Sequence, residues 1–180
     1  TPIIFLKPAT SVVGPLARVV LPPDSAEVHH EGELAVVIRS LTRNVRAEDV
    51  GAHVLGYTCA NDVTARDLQR ADGQWTRAKG FDTFCPLGPA INTEFDPLEG
   101  MAITTSVNGE LRQEGSTADL VFGVAELIAF ISRVMTLLPG DVVLTGTPAG
   151  VGPVVAGDLV EVEIEGIGVL ANPVAGGPSR

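Results

Sequence analysis

Apolar residues along this chain recur with two different periods. Val160, Val162 and Ile164 alternate with Glu161, Glu163 and Glu165. A period of two predicts a strand with its apolar set on the core and its glutamates in water. Over residues 121–135 the spacing changes: Val121, Val124, Leu127, Ile128, Ile131 and Met135 recur at intervals of three and four. That is one apolar stripe, and it predicts an amphipathic helix ended by the stop and turn Pro139-Gly140-Asp141. A shorter helix is predicted over residues 47–55 on the Val50/Val54 spacing. Asn108-Gly109 lies between two extended runs in 103–113 and predicts a hairpin with a type I′ turn, because both residues tolerate positive φ. Further strands are expected at 34–38, 89–91 and 142–144. Strands outnumber helices, so the pattern predicts a mostly β, α+β domain rather than a doubly wound parallel sheet. No repeat, charged block or Ser/Gly linker divides the chain, so residues 1–180 read as a single domain.

Composition narrows the partners. At 180 residues the chain fits one domain of ~100–200 residues and buries roughly 70% of its unfolded surface without a staple. Hydrophobic residues at 45% and charged residues at 19% exclude the disordered regime. Lys+Arg number 12 against 22 Asp+Glu, a net charge of −10. This balance argues against nucleic acid or an anionic membrane as the main partner. The longest uncharged run, 142–157, is broken by glycines and prolines and falls short of the ~18 apolar residues of a membrane span. No charged-then-apolar leader opens the chain, so the expected location is cytoplasmic. Cys59 and Cys85 are too few for a disulfide framework, lack zinc spacing, and read as small core residues.

Four stretches carry candidate chemistry. In His29-His30-Glu31-Gly32-Glu33, an acidic pair stands directly before the apolar run 34–38. On an extended segment residues i and i+2 share a face, so Glu31 and Glu33 project together. Paired carboxylates repel and invite a divalent cation; the competing reading is a solvated strand end. Asp62 follows a second apolar run at the exit of a predicted strand, with Arg66 and Gln69 three apart and on one face if this turn is helical. An arginine fork there grips a carboxylate bidentately; otherwise Asp62 caps a helix and Arg66 pairs with Asp67. Lys79 sits in the Gly-bracketed segment 73–82 with the one Trp of the chain, where an ammonium near a metal neutralises a developing enolate; alone, the segment is a surface loop. The small-residue run Leu144-Thr145-Gly146-Thr147-Pro148-Ala149-Gly150-Val151-Gly152 offers N–H groups and hydroxyls to an anion, but lacks the ending of a nucleotide P-loop.

The order and wording of Lys7-Pro8, 30–38, Gly56-Tyr57-Thr58, 61–69, 75–83, Val107-Asn108-Gly109-Glu110, Gly140-Asp141-Val142 and Thr145-Gly146-Thr147-Pro148 resemble the fumarylacetoacetate hydrolase family over nearly the whole chain. The resemblance implies the mixed β-sandwich or roll of that family's C-terminal domain, with a few helices. It implies that Glu31, Glu33 and Asp62 hold Mg²⁺ or Mn²⁺, with Ca²⁺ a third candidate, an all-oxygen set that suits a hard cation. Lys79 is then the group that stabilises an enolate, while Arg66, Gln69 and Thr147 position substrate carboxylate or oxo groups. His30, beside the metal ligands, is the second catalytic candidate, although it is not the acid/base histidine of the family pattern. That histidine belongs to an upstream Gly-x-Asn-Tyr-x-x-His segment, which this chain is expected to lack, its histidines being His29, His30 and His53. The implied activity is a divalent-metal-dependent hydrolase cleaving a C–C bond in acylpyruvate- or fumarylpyruvate-type 2-oxo acids through a metal-stabilised enolate. The alternatives are a 2-hydroxyhepta-2,4-diene-1,7-dioate isomerase or a 2-oxo acid decarboxylase of aromatic-compound catabolism. A reading from another class is a metal-bound scaffold without turnover. The expected partners are a small-molecule 2-oxo acid and a second copy of the chain in a homodimer.

Overall fold

Alternation and turn chemistry account for most of the strand layout in the computed structural model, which describes residues 1–177. The first half contains β1 (Val12–Val13), β2 (Val19–Leu21), β3 (Val28–His30), β4 (Gly32–Ile38), β5 (Val54–Asn61) and β6 (Thr64–Ala65), then the short helices α1 (Arg66–Asp72) and α2 (Thr76–Lys79). The second half contains β7 (Cys85–Asn92), β8 (Ala102–Val107), β9 (Glu110–Ser116), α3 (Val124–Val134), β10 (Val142–Leu144), β11 (Gly152–Pro153), β12 (Leu159–Ile164) and β13 (Gly168–Gly176). Two five-stranded sheets, β1-β7-β5-β4-β10 and β2-β13-β12-β8-β9, are joined by the three-stranded sheet β11-β3-β6. Pairing is antiparallel except for β1 with β7 and β2 with β13. The protein is therefore mostly β with few helices, as the pattern predicts.

The inner faces of the two large sheets meet in one core. Leu34, Val36 and Cys59 come from one sheet, and Ile103, Val162, Ile164 and Leu170 from the other, with Ile128 of α3 closing one end. A second cluster, around Val28, Val63, Phe84 and Val160, lies under β3 and β6. The glutamate row stands as expected: Val160, Val162 and Ile164 are buried, and Glu163 and Glu165 are exposed. The β8–β9 turn has Asn108 at φ 54° and Gly109 at φ 78°, the left-handed pair that a type I′ turn requires.

Two helix predictions are corrected at their ends. Helix α3 begins at Val124, after Gly123 in an extended conformation. Val121 lies outside it and is 88% exposed, so the apolar stripe at 121 is not helical. Residues 47–55 form a 3₁₀ helix only over Ala47–His53, because Val54 is taken by β5, where it pairs with Ile38. Both cysteines are buried, and burial pushes the Cys59 thiol up to about 12 and that of Cys85 up to about 11. Among the described residues no helix is long and apolar enough to cross a membrane.

Candidate metal centre

The site grows from the register of β4 on β5. Gly32 pairs with Asn61, so the next residues outward, Glu31 and Asp62, face each other at the open end of the ladder. Two hydrogen bonds extend the pairing there: the Asp62 N–H donates to Glu31 O at 2.8 Å, and the Glu31 N–H donates to Asn61 Oδ1 at 2.9 Å. Glu33, two residues along β4, turns its carboxylate to the same place. The three side chains each offer an oxygen within 4.8 Å of the others, and all three residues are buried. Gly32 between them is enforced by packing, since a Cβ there would stand 2.0 Å from Thr105 Oγ1.

Three ionised carboxylates this close cannot stand alone. At an effective dielectric of 20, charges at the outer limit of 4.8 Å repel by about 3.5 kcal/mol per pair. Cations answer two of the three. Lys79, 3% exposed at the end of α2, donates from Nζ to Glu31 Oε2 at 2.9 Å, Asp62 Oδ2 at 2.5 Å and Thr64 Oγ1 at 2.8 Å. Its ammonium also stands 4.8 Å from the centre of the Phe5 ring. Lys7 reaches in from the N-terminal segment and donates to Asp62 Oδ1 at 2.6 Å and to Val63 O at 3.3 Å. Arg66 pairs with the other oxygen of Glu31. Glu33 accepts instead from the Gly146 N–H at 2.6 Å. Burial, reinforced by the charges of Asp62 and Glu31, holds its carboxyl well above the ordinary value of 4.5.

The donor set fits a hard divalent cation. It is all oxygen, carries up to three negative charges, and its separations match oxygens sharing one ion at ~2.0–2.6 Å. A divalent charge at the focus of the triad would also favour the ionised form of Glu33.

The remaining expected residues fall around this triad. Residues 66–72 are helical, as the sharing of a face by Arg66 and Gln69 requires, and Arg66 Nη1 donates to Gln69 Oε1 at 2.8 Å. The alternative pairing of Arg66 with Asp67 is not formed: Asp67 accepts from Ser25 Oγ at 2.6 Å and from the Ala26 N–H at 2.9 Å. Nor does Asp62 cap α1, whose N-terminal flank is Ala65 without a side-chain cap. His30 is buried beside the triad, with Nδ1 3.0 Å from Gln113 Oε1. Thr147 donates its hydroxyl to Gly32 O at 2.8 Å, so that proton is spent inside the protein. A cavity of about 250 Å³ lies along the 146–148 loop, lined among others by Leu34, Ile103, Val121 and Thr147. From sequence Lys7 enters only within the Lys7-Pro8 motif, with no role at the site, and Gln113 is not singled out. A signal existed for Lys7: the chain has two lysines in all, Lys7 and Lys79, and both enter this site. Gln113 carries no such mark.

Comparison with known proteins places the whole fold among described relatives. Protein Rv2993c of Mycobacterium tuberculosis is 52% identical over 176 residues, which cover 96% of this chain and 66% of the relative. The mitochondrial oxaloacetate tautomerase FAHD2A of Homo sapiens is 52% identical over 185 residues, covering 96% of this chain and 59% of the relative. The chain thus spans less than two thirds of the length of these curated relatives. The crystal structure of 5-carboxymethyl-2-hydroxymuconate delta-isomerase from Mycobacterium smegmatis matches with a TM-score of 0.98 at 53% identity, over 99% of this chain and 71% of that one. The family model Fumarylacetoacetate (FAA) hydrolase C-terminal matches residues 1–175. By that match and these identities, the chain belongs to the fumarylacetoacetate hydrolase family.

Proposed function

We propose that the chain carries the active site of a divalent-metal-dependent enzyme that interconverts the enol and keto forms of a 2-oxo dicarboxylic acid. The observation that carries this reading is the convergence of Glu31, Glu33 and Asp62 within 4.8 Å, with the Lys79 ammonium on two of them. Mg²⁺ or Mn²⁺ held by these carboxylates would supply Lewis-acid polarisation of the 2-oxo group. Lys79 brings a buried ammonium to the same place, where a hydrogen bond to a developing enolate oxygen is worth far more than in water. Arg66 offers a planar fork to a substrate carboxylate, and Gln69 fixes the plane of that fork by accepting from Nη1. The exchange moves one proton from the carbon beside the oxo group and places one on oxygen, with solvent water as the proton carrier, so the chain's own residues have only to hold the two ends of the substrate. The names borne by two relatives, an oxaloacetate tautomerase and a delta-isomerase, support proton relocation.

C–C hydrolysis of an acylpyruvate- or fumarylpyruvate-type acid is the second reading. The family model's own name favours it, and it passes through the same enolate, as decarboxylation of a 2-oxo acid does. One set of assays separates the three: ultraviolet decay of enol-oxaloacetate, product analysis with acylpyruvates, and CO₂ release, each with Mn²⁺. Enol decay accelerated by the wild type and abolished by Asp62→Ala is the expected result. Metal binding without turnover of any 2-oxo acid would leave a scaffold and sink the reading.

A further inference from the structure

Gln113, on β9, is 81 residues from Gly32 in sequence, is 1% exposed, and has every polar atom of its amide in use. Its Oε1 accepts from the Gly32 N–H at 3.0 Å and faces His30 Nδ1 at 3.0 Å. Its Nε2 donates to Thr147 Oγ1 at 2.8 Å and to Pro148 O at 2.8 Å. The partners fix the orientation of the amide, because a backbone N–H can only donate and a backbone carbonyl only accept. They also fix the His30 tautomer: Nδ1 carries the proton, which leaves Nε2 buried without a hydrogen-bond partner among the described residues. His30 therefore serves Gln113.

The bonds close a ring. The Gly32 N–H donates to Gln113, Gln113 donates to Thr147, and Thr147 Oγ1 donates back to Gly32 O at 2.8 Å. Both backbone groups of the residue between Glu31 and Glu33 are thus held through one side chain and the loop that side chain anchors. The same loop holds Glu33 directly through the Gly146 N–H at 2.6 Å. Two surfaces of the site, the acidic start of β4 and the 145–148 loop, are registered through a residue whose side-chain hydrogen bonds go to neither Glu31, Glu33 nor Asp62.

We propose that Gln113 is the positioning residue of the metal centre, setting the start of β4, which carries Glu31 and Glu33, against the Thr147 loop. This rests on the reading of the triad as a divalent-metal site. Groups that orient metal ligands from behind typically contribute about 10–100-fold in metal affinity or activity.

The test uses the intact protein and three variants. Gln113→Leu keeps the volume and removes all four bonds. Gln113→Glu keeps the acceptor half toward Gly32 and His30 but loses the donors to Thr147 and Pro148. Thr147→Val opens the ring at one point. Mn²⁺ affinity by titration, amide exchange at Gly32 and Gly146, and KM against kcat for a 2-oxo acid are read alongside thermal unfolding. For Gln113→Leu the expected result is Mn²⁺ affinity weaker by about 10–100-fold in a folded protein, with faster exchange at Gly32. For Gln113→Glu and Thr147→Val, Gly32 stays more protected than in Gln113→Leu, and KM rises more than kcat falls. A lowered melting temperature with unchanged Mn²⁺ affinity and an unchanged KM in all three variants would reduce Gln113 to a packing residue. Wild type that binds no Mn²⁺ would overturn the metal reading instead. Gly32 and Gly146 exchange would then decide the registration alone: faster in Gln113→Leu supports it, unchanged overturns it.

Discussion

Replacing Glu33 by Gln is predicted to stabilise the metal-free protein while abolishing its metal site. Glu33 is 3% exposed, and burial with the charges of Asp62 and Glu31 holds its carboxyl well above 4.5. An acid whose folded value is raised binds its proton more tightly in the folded state. The stability it contributes is complete below pH 4.5 and is lost as pH rises through the folded value. The loss runs at about 1.4 kcal/mol per pH unit across that window. For a chain of this size each kcal/mol moves the melting temperature by roughly 2–4 °C. Gln is neutral at every pH and can still accept from the Gly146 N–H. In EDTA the variant should therefore match wild type near pH 4.5 and melt progressively higher above it, by roughly 3–6 °C per pH unit until the carboxyl ionises. Saturating Mn²⁺ should shift the balance toward wild type. At 100 times its dissociation constant a ligand adds about 2.7 kcal/mol, or roughly 5–11 °C, to wild type and little to the variant. Scanning calorimetry from pH 4.5 to 8, with EDTA and with Mn²⁺, reads all of this. A variant that melts lower than wild type at pH 8 in EDTA, or a difference that does not change with pH, would refute the reasoning.

Other perturbations separate chemistry from packing. Lys79→Met removes the ammonium shared by Glu31 and Asp62; turnover should fall by about 10²–10³ while Mn²⁺ still binds, and unchanged kcat would exclude Lys79 from the reaction. Gly32→Ala drives a Cβ to 2.0 Å from Thr105 Oγ1 and should cost about 1–3 kcal/mol; because that hydroxyl is buried without a partner among the described residues, Thr105→Ala in the same chain should recover much of the loss, and additive effects in the double-mutant cycle would contradict the clash. Cys59 and Cys85, pushed up to about 12 and about 11, hold thiolate fractions of about 10⁻⁴ and 10⁻³ at pH 8. Both should resist a thiol reagent in the folded protein and react on unfolding, so rapid native labelling would show that the core opens.

Local pattern carried the reading wherever the physics is local. Period two identified β12 and its outward glutamates, Asn108-Gly109 identified the β8–β9 hairpin, and the spacing of Glu31 and Glu33 put two carboxylates on one face. Asp62 was legible as a strand-exit residue, although its place opposite Glu31 depends on the β4–β5 register. The helix stripe overran its true start because periodicity counts Val121 without asking whether the backbone at Gly123 is helical. Residues 47–55 failed at the end for a related reason: Val54 satisfies helical spacing and strand pairing alike, and pairing with Ile38 won. Lys7 and Gln113 depend on contacts 55 and 81 residues away, which no local pattern contains. The Lys7 segment meets the site only after the sheet is built, and Gln113 sits on a strand whose other residues look ordinary.

The central claim is that Glu31, Glu33 and Asp62 share one divalent ion, and anomalous diffraction from crystals of the protein grown with Mn²⁺ tests it most directly. A single manganese peak bound by an oxygen from each of the three carboxylates, at ~2.0–2.6 Å, is the predicted result. Carboxylates still held by Lys79 and Lys7, with manganese elsewhere or nowhere, would contradict it.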